Sequence, residues 1–276
     1  MQMNITLKRS GAIGDIITTF IVAEKLVSIG YEVTLIVSEQ YKEVGQLSPY
    51  ITKVYHTNEY EGRIDIDFDG VYEYVVSNKV LSRKDAEPKY WINKTNKFLK
   101  TYNKKIDCKI QKPELKIYKN RVIEKRKYLE NFKKPWHIFV HGSYSDITRK
   151  IPVHIIEKTA ENLSGTSFIL DYDKTNIPKL PINSILDITT FIYLCDTIIT
   201  PVTGPLHIAN GYNKKIITLS QSNNVNLLFP NNNMKILKDL IYCIGCTSWN
   251  KCKQTNITEQ IPCQQIDYKE ILKNIQ

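Results

Sequence analysis

Nowhere does this chain of 276 residues approach the run of ~20 uninterrupted apolar residues that a bilayer span requires, so a soluble protein is expected. Its first residues, MQMNITLKRSGAIGD, carry neither an apolar leader with a small-residue cleavage site nor an Arg/Ser-rich amphipathic one, which points to the cytoplasm. There is no internal repeat, and no low-complexity tract beyond Asn231-Asn232-Asn233, which excludes solenoids and arrays. Three common catalytic signatures are also missing. Gly11-Ala12-Ile13-Gly14-Asp15 lacks the G-x-G-x-x-G spacing of a dinucleotide fold and the trailing Gly-Lys-Ser/Thr of a P-loop, and no serine sits on a G-x-S-x-G elbow.

What is present is enough apolar material for real cores, with 42% hydrophobic and 10% aromatic residues, and a length that suits two modest α/β lobes. The net charge is +10, and its distribution matters more than its size. The stretch from Lys79 to Lys134 holds 19 of the 38 basic residues and 6 of the 28 acidic ones, so it carries +13 while the remainder carries −3. Interleaved Trp91, Phe98, Tyr102, Tyr118 and Tyr128 leave three readings open: solvated helix faces, a surface for an acidic acceptor, or a nucleic-acid groove.

Strand and helix signals alternate along the chain. Asn4 to Leu7, Val33 to Val37 and Ile51 to Tyr55 read as strands, with a helix after the first, and an acidic alternating stretch runs from Ile64 to Val76. The Lys-rich stretch holds helical pieces at Tyr90 to Tyr102 and Arg121 to Phe132, and reads as the tail of the first lobe and a linker. The pattern restarts at Trp136 to Val140, continues through a helix at Val153 to Leu163 and a strand at Ser167 to Leu170, and passes a loop at Ile177 to Pro181. Helix Ile188 to Leu194, strand Thr197 to Thr200, helix Pro205 to Ala209, strand Ile216 to Leu219 and helix Tyr268 to Ile275 complete it. The expected architecture is two parallel-sheet lobes, residues 1–134 and 135–276. Ligands of such sheets bind beyond the carboxyl ends of the strands, which brings forward Gly11 to Asp15, His141 to Lys150 and Thr200 to His207.

Each of these three segments has chemistry to offer. In TIITPVTGPLHIA, from Thr197 to Ala209, a buried-type strand meets a Gly/Pro turn and a helix start, where open amides and the helix dipole favour a diphosphate. Thr203, Gly204 and His207 are its candidate contacts. Asp15 stands at a glycine turn on a helix start, where it can cap the helix, act as a general base, or both, while Gly11 and Gly14 allow close backbone approach. In His141-Gly142-Ser143-Tyr144 and Arg149-Lys150-Ile151-Pro152, small hydroxyl and glycine residues can wrap a phosphate that Arg149 neutralises.

On these residues the chain resembles the bacterial heptosyltransferases, glycosyltransferase family 9. The family's glycine turn ending in Gly-Asp stands as Gly14-Asp15, its K-x-W-P loop as Arg149-Lys150-Ile151-Pro152, and its D-T-G-x-x-H segment as Val202-Thr203-Gly204-Pro205-Leu206-His207. The resemblance implies the GT-B fold, with two Rossmann-like lobes facing across a cleft, the acceptor on the N-terminal side and the nucleotide sugar on the C-terminal side. It implies an inverting transfer from a nucleotide-diphosphate sugar, ADP-linked in the family, to a glycan, glycolipid or protein hydroxyl, as in lipopolysaccharide biosynthesis. Asp15 would be the base, with Ser143, Arg149, Thr203, Gly204 and His207 around the donor phosphates and no catalytic metal. Val202 replaces the family's sugar-contacting Asp, and Arg149 and Ile151 replace its Lys and Trp.

Cys243, Cys246, Cys252 and Cys263 form C-x2-C-x5-C-x10-C, while Cys108 and Cys195 stand apart. In a cytosolic chain four clustered thiols favour zinc or iron over disulfides. Similar clusters in the autotransporter heptosyltransferases imply a structural iron. Two other functions remain open from the residues: a glycosyltransferase acting on modified DNA, suggested by the basic stretch, and a sugar-nucleotide epimerase or non-catalytic binding protein on the same fold.

Overall fold

The computed structural model describes residues 3–69, 87–107, 109, 112–142, 149–172, 174–220, 231–238 and 266–275. Ser143, Cys108, the four clustered cysteines and the end of the acidic stretch lie outside the described residues. Those described fall into two compact units, residues 3–116 and 117–275.

In the first unit strand β1 (Met3–Lys8) runs at the centre of a parallel sheet of order β3-β2-β1-β4, with β2 at Tyr31–Val37, β3 at Ile51–His56 and β4 at Ile66–Asp67. β1 meets β2 from Met3 opposite Tyr31 to Lys8 opposite Ile36. Helix α1 (Ile13–Ser28) is apolar nearly all round, and its Ile16, Ile17, Phe20 and Leu26 are fully buried. Burying each such side chain stabilises by about 1.5–3 kcal/mol. After the one-turn helix α2 (Lys42–Gly45), α3 (Glu87–Leu99) turns Trp91, Ile92, Thr95 and Leu99 inward, the i, i+4, i+8 face of a helix.

The second unit holds helix α4 (Lys119–Leu129) and the sheet order β6-β5-β7-β8-β9, again all parallel: β5 Trp136–Phe139, β6 Thr166–Ile169, β7 Thr197–Pro201, β8 Lys215–Ser220 and β9 Met234–Lys238. Every residue of β5 and β7 is buried, as strands covered on both faces must be. Helices α5 (Val153–Glu161), α6 (Ile185–Leu194), α7 (Gly204–Gly211) and α8 (Tyr268–Ile275) flank the sheet. A core cluster of Phe139, Ile151, Ile156, Ile169, Ile199, Ile217 and Leu219 accepts Ile271 and Ile275 from the last helix.

Three features differ from expectation. Helix α4 packs in the second unit rather than with a first-lobe linker, because the carboxylate of Asp187 on α6 binds its Arg121 at 3.0 Å and its Lys125 at 3.1 Å. α6 starts three residues before Ile188, since Ser184 caps it by accepting the Asp187 amide at 3.2 Å. The edge strand β9, whose MKILK pattern is short and carries two lysines, pairs with β8 from Ile216 opposite Met234 to Ser220 opposite Lys238. Part of the basic stretch is used internally: Lys94 bonds the Asp67 carbonyl, and Lys104 and Lys134 lie over the rings of Tyr31 and Trp136. Among the described residues no helix is long and apolar enough to cross a membrane.

Candidate functional site

In each unit the loops leaving the carboxyl ends of the central strands collect the polar groups, and each rim is described by itself. In the first unit β1 ends at Lys8, the chain turns through Arg9-Ser10-Gly11, and α1 starts after Ala12. Asp15, in the first turn, folds back so that its Oδ2 accepts the Ala12 amide at 2.9 Å. Half of a capping box results, since alanine has no acceptor to return. A Cβ on Gly11 would lie 2.5 Å from that same Asp15 Oδ2 and 3.0 Å from the Arg9 guanidinium carbon. Gly11 therefore makes room for the Asp15–Arg9 pair, a tighter demand than the ligand approach expected of it. Gly14 is buried within α1, and its carbonyl accepts the Thr18 hydroxyl at 2.8 Å.

Asp15 Oδ1 pairs with Arg9 Nη2 at 3.1 Å. Arg9 is only 7% exposed, and its other Nη faces Asp69 at 3.6 Å and the Phe68 carbonyl at 3.4 Å, with the guanidinium 5.5 Å from the Trp91 ring centroid. Asp69 also accepts the Ser10 amide at 2.7 Å and pairs with Lys8 at 3.3 Å. Burial pushes the Asp69 carboxyl up, but the bonds from Ser10 and the Lys8 ammonium outweigh it and leave it below the usual carboxylate range.

In the second unit β5 leads into His141-Gly142, and Asp171, just past the end of β6, clamps both: its carboxylate accepts the His141 amide at 2.7 Å and the Gly142 amide at 3.0 Å. Burial raises the Asp171 carboxyl despite these bonds. Gly142 pairs antiparallel with Lys150, and the Ile151 amide donates to the His141 carbonyl at 2.7 Å, so the segments 141–142 and 150–151 are pinned together. Gly142 has φ +135°, and a Cβ there would lie 2.0 Å from the Arg149 carbonyl oxygen. His141 Nδ1 lies 2.8 Å from the Ile151 carbonyl, so that nitrogen carries the proton. The ring packs on Tyr172 at 4.4 Å, and burial lowers its proton affinity.

The third segment lies on the same unit. β7 delivers Pro201, Thr203 takes the N-cap position of α7 in extended backbone, and Thr203 Oγ1 lies 3.3 Å from Thr200 Oγ1. Arg149 Nη1 reaches the Val202 carbonyl at a long 3.4 Å, which ties two of the expected donor-binding segments together. Val202 is 9% exposed, so its side chain belongs to the wall rather than the rim. The helix start is a narrower anion cradle than its sequence suggests. Pro205 has no N–H and the Leu206 amide already donates to the Thr203 carbonyl at 3.0 Å. Among the described residues the Gly204 amide is what the first three positions keep for a ligand, next to the Thr203 hydroxyl. His207 sits one turn on, half-buried.

Arg9, Asp69 and Asp171 were missed from sequence. All three stand just beyond a strand's carboxyl end, and that position, read together with their charge, is the signal that would have found them. No group of three or more metal-ligating side chains occurs among the described residues, and the cysteine cluster falls outside them.

No protein-family model and no curated protein matches the sequence. Solved structures do match. A family 9 glycosyl transferase from Veillonella parvula superposes with a TM-score of 0.66 at 11% identity, covering 99% of this chain and 96% of that one. The ADP-heptose lipopolysaccharide heptosyltransferase II of E. coli gives 0.64 at 11% identity, with 99% and 97% covered. The iron-containing dodecameric glycosyltransferase TibC from enterotoxigenic E. coli gives 0.63 at 11% identity, with 99% and 75% covered. At that identity the likeness establishes the fold, and the fold is the two-lobed GT-B architecture of these glycosyltransferases.

Proposed function

We propose that the protein is an inverting glycosyltransferase that moves a sugar, heptose or a related one, from a nucleotide diphosphate to a hydroxyl of a glycan, glycolipid or protein. The observation that carries this reading is the pairing of the GT-B fold with Asp15 on the first rim and Arg149, Thr203 and Gly204 gathered on the second. The donor belongs to the C-terminal lobe. Its diphosphate lies against the Gly204 amide, the Thr203 hydroxyl and the Arg149 guanidinium, with Ser143 and His207 completing the set. The acceptor belongs to the N-terminal lobe with Asp15. TibC has been solved with ADP-heptose, which supports an adenine nucleotide here, and we assign the reaction to the cytoplasm, where such donors are made.

Asp15 takes the proton of the attacking hydroxyl as that oxygen bonds to the anomeric carbon, and the carbon–oxygen bond to the diphosphate breaks with its electron pair leaving on the phosphate. Positive charge and an amide aimed at the departing diphosphate stabilise that charge as it forms. Val202, apolar and buried, offers the donor sugar no hydrogen bond where the resembled family offers a carboxylate, which favours a sugar that does not need one. The four clustered cysteines suit a tetrahedral thiolate site for zinc or iron with a structural role. That TibC contains iron supports iron, and elemental analysis of anaerobically purified protein tests it, with absence of stoichiometric metal against it.

A thermal-shift screen against ADP-, GDP-, CMP- and UDP-sugars tests the reading. A donor at 100 times its Kd stabilises by about 2.7 kcal/mol. An ADP-sugar is expected to raise Tm, and no shift with any of the four overturns the reading. The Asp15→Asn variant keeps an oxygen for the Ala12 amide, so it is expected to bind donor while losing about 10²- to 10⁴-fold in transfer. Full turnover would refute the base.

A further inference from the structure

Arg9 is a charged side chain placed where charge is costly. Burying a guanidinium demands partners, and its partners form a converging set: Asp15 Oδ1 at 3.1 Å, Asp69 Oδ1 at 3.6 Å, the Phe68 carbonyl at 3.4 Å and the face of Trp91 at 5.5 Å. Asp69 is in turn held by the Ser10 amide at 2.7 Å and by Lys8, which also binds Asp67 at 3.1 Å, while Lys94 of α3 bonds the Asp67 carbonyl. The first turn of α1, the segment from Asp67 to Asp69 and α3 all contribute members. The guanidinium is therefore fixed from three sides before it meets Asp15.

Asp15 is held at both oxygens, by Arg9 at Oδ1 and by the Ala12 amide at Oδ2. A carboxylate has about four lone-pair sites, so two such bonds fix its plane and still leave room for an incoming proton. A simple helix cap needs only the Ala12 bond. The additional buried cation, braced by a second carboxylate and an aromatic face, sets the direction of this one group.

Resting on the reading of Asp15 as the base, we infer that Arg9 is its positioning residue: through the Arg9–Asp15 pair it orients the carboxylate, with Asp69 and Trp91 holding Arg9 in place. At 7% exposure the guanidinium acts through Asp15 and not on the reacting atoms.

The test compares Arg9→Gln and Arg9→Lys with the wild type in the full chain, reading the split between kcat and donor KM and the rescue of kcat by the conservative variant. Arg9→Gln keeps the size and removes the charge. Its kcat falls about 10- to 100-fold with donor KM within about 3-fold, as misorientation of a catalytic group predicts. Arg9→Lys restores the charge without the fork, so kcat recovers only in part. Should Arg9→Gln fail to fold, the kcat of Arg9→Lys is read beside that of Asp69→Asn, which loosens Arg9 from its far side and is expected to lower kcat likewise.

A purely structural Arg9 would reduce Tm and the yield of active protein while leaving kcat per active site in place, and that result overturns the inference. If Asp15→Asn transfers sugar normally, or the wild type transfers none, the functional reading fails instead.

Discussion

Replacing Gly142 with alanine isolates what fixes the 142–150 junction. The residue sits at φ +135°, and the added Cβ would lie 2.0 Å from the Arg149 carbonyl oxygen and 2.9 Å from Lys150 Cα. Backbone strain at such a φ costs about 1–3 kcal/mol, and relieving a contact more than 1 Å too short adds an overpacking cost of about 1–3 kcal/mol. Together they amount to roughly 2–6 kcal/mol. Gly30→Ala is the control: it has φ +89° with nothing within 4 Å of the new Cβ, so only strain of about 1–2 kcal/mol applies, offset partly by the stiffer unfolded chain. Urea unfolding of both variants gives the two costs. Gly142→Ala is expected to lose at least 1 kcal/mol more than Gly30→Ala and, by pushing Arg149 off the Val202 carbonyl, to weaken ADP-sugar binding. Equal stability losses and unchanged donor affinity would refute the argument that glycine is required there for space.

Asp187→Ala removes the carboxylate shared by Arg121 and Lys125 and by the Asn183 amide at 3.0 Å. Lys125 is nearly buried, so about 3 kcal/mol is expected to be lost in thermal or urea unfolding, breaking one side of a buried pair being the costly change; a loss under 1 kcal/mol would show that Glu124 suffices as its partner. Burial pushes Asp187 up, but the Asn183 amide and the Lys125 and Arg121 charges leave it lowered, so its stabilisation is present above about pH 3.9, the unfolded value, and drains away below it. Burial also lowers His137 and His141, so stability starts to fall as pH drops below about 6.5, and a stability maximum below pH 5 would contradict both assignments. Burial lifts the Cys195 thiol to about 12, so its peptide should stay unalkylated by iodoacetamide at pH 7.5 until urea unfolds the second unit, and labelling in the native protein would place that thiol outside the core.

Most elements were legible because apolar β-branched runs and glycine turns are local signals. α1, β5 and β7 follow from Ile16-Ile17, Trp136 to Phe139 and Thr197 to Pro201 with no help from the rest of the chain. The short edge strand β9 was not, since MKILK becomes a strand only by pairing with β8. The start of α6 was missed because the decisive signal is a single Ser184 hydroxyl. Helix α4 has a weak apolar face, and its unit is decided by contacts distant in sequence, Arg121 and Lys125 with Asp187 and Tyr128 with Phe191.

The candidate site divides in the same way. By itself the sequence determined which residues stand on glycine turns at helix starts: Asp15 after Gly11 and Gly14, Thr203 and Gly204 before α7, Arg149 before Pro152. These are local because a turn, a cap and a helix are built from neighbours. Only the tertiary structure decided what those residues are able to do. It pairs Asp15 with a buried Arg9 braced by Asp69, clamps the His141-Gly142 turn with Asp171, leaves Gly204 as the first-turn amide of α7, and turns Val202 into the wall. Each of these is an interaction between groups distant in sequence whose strength depends on burial, and burial is a property the chain acquires only when both sheets have formed.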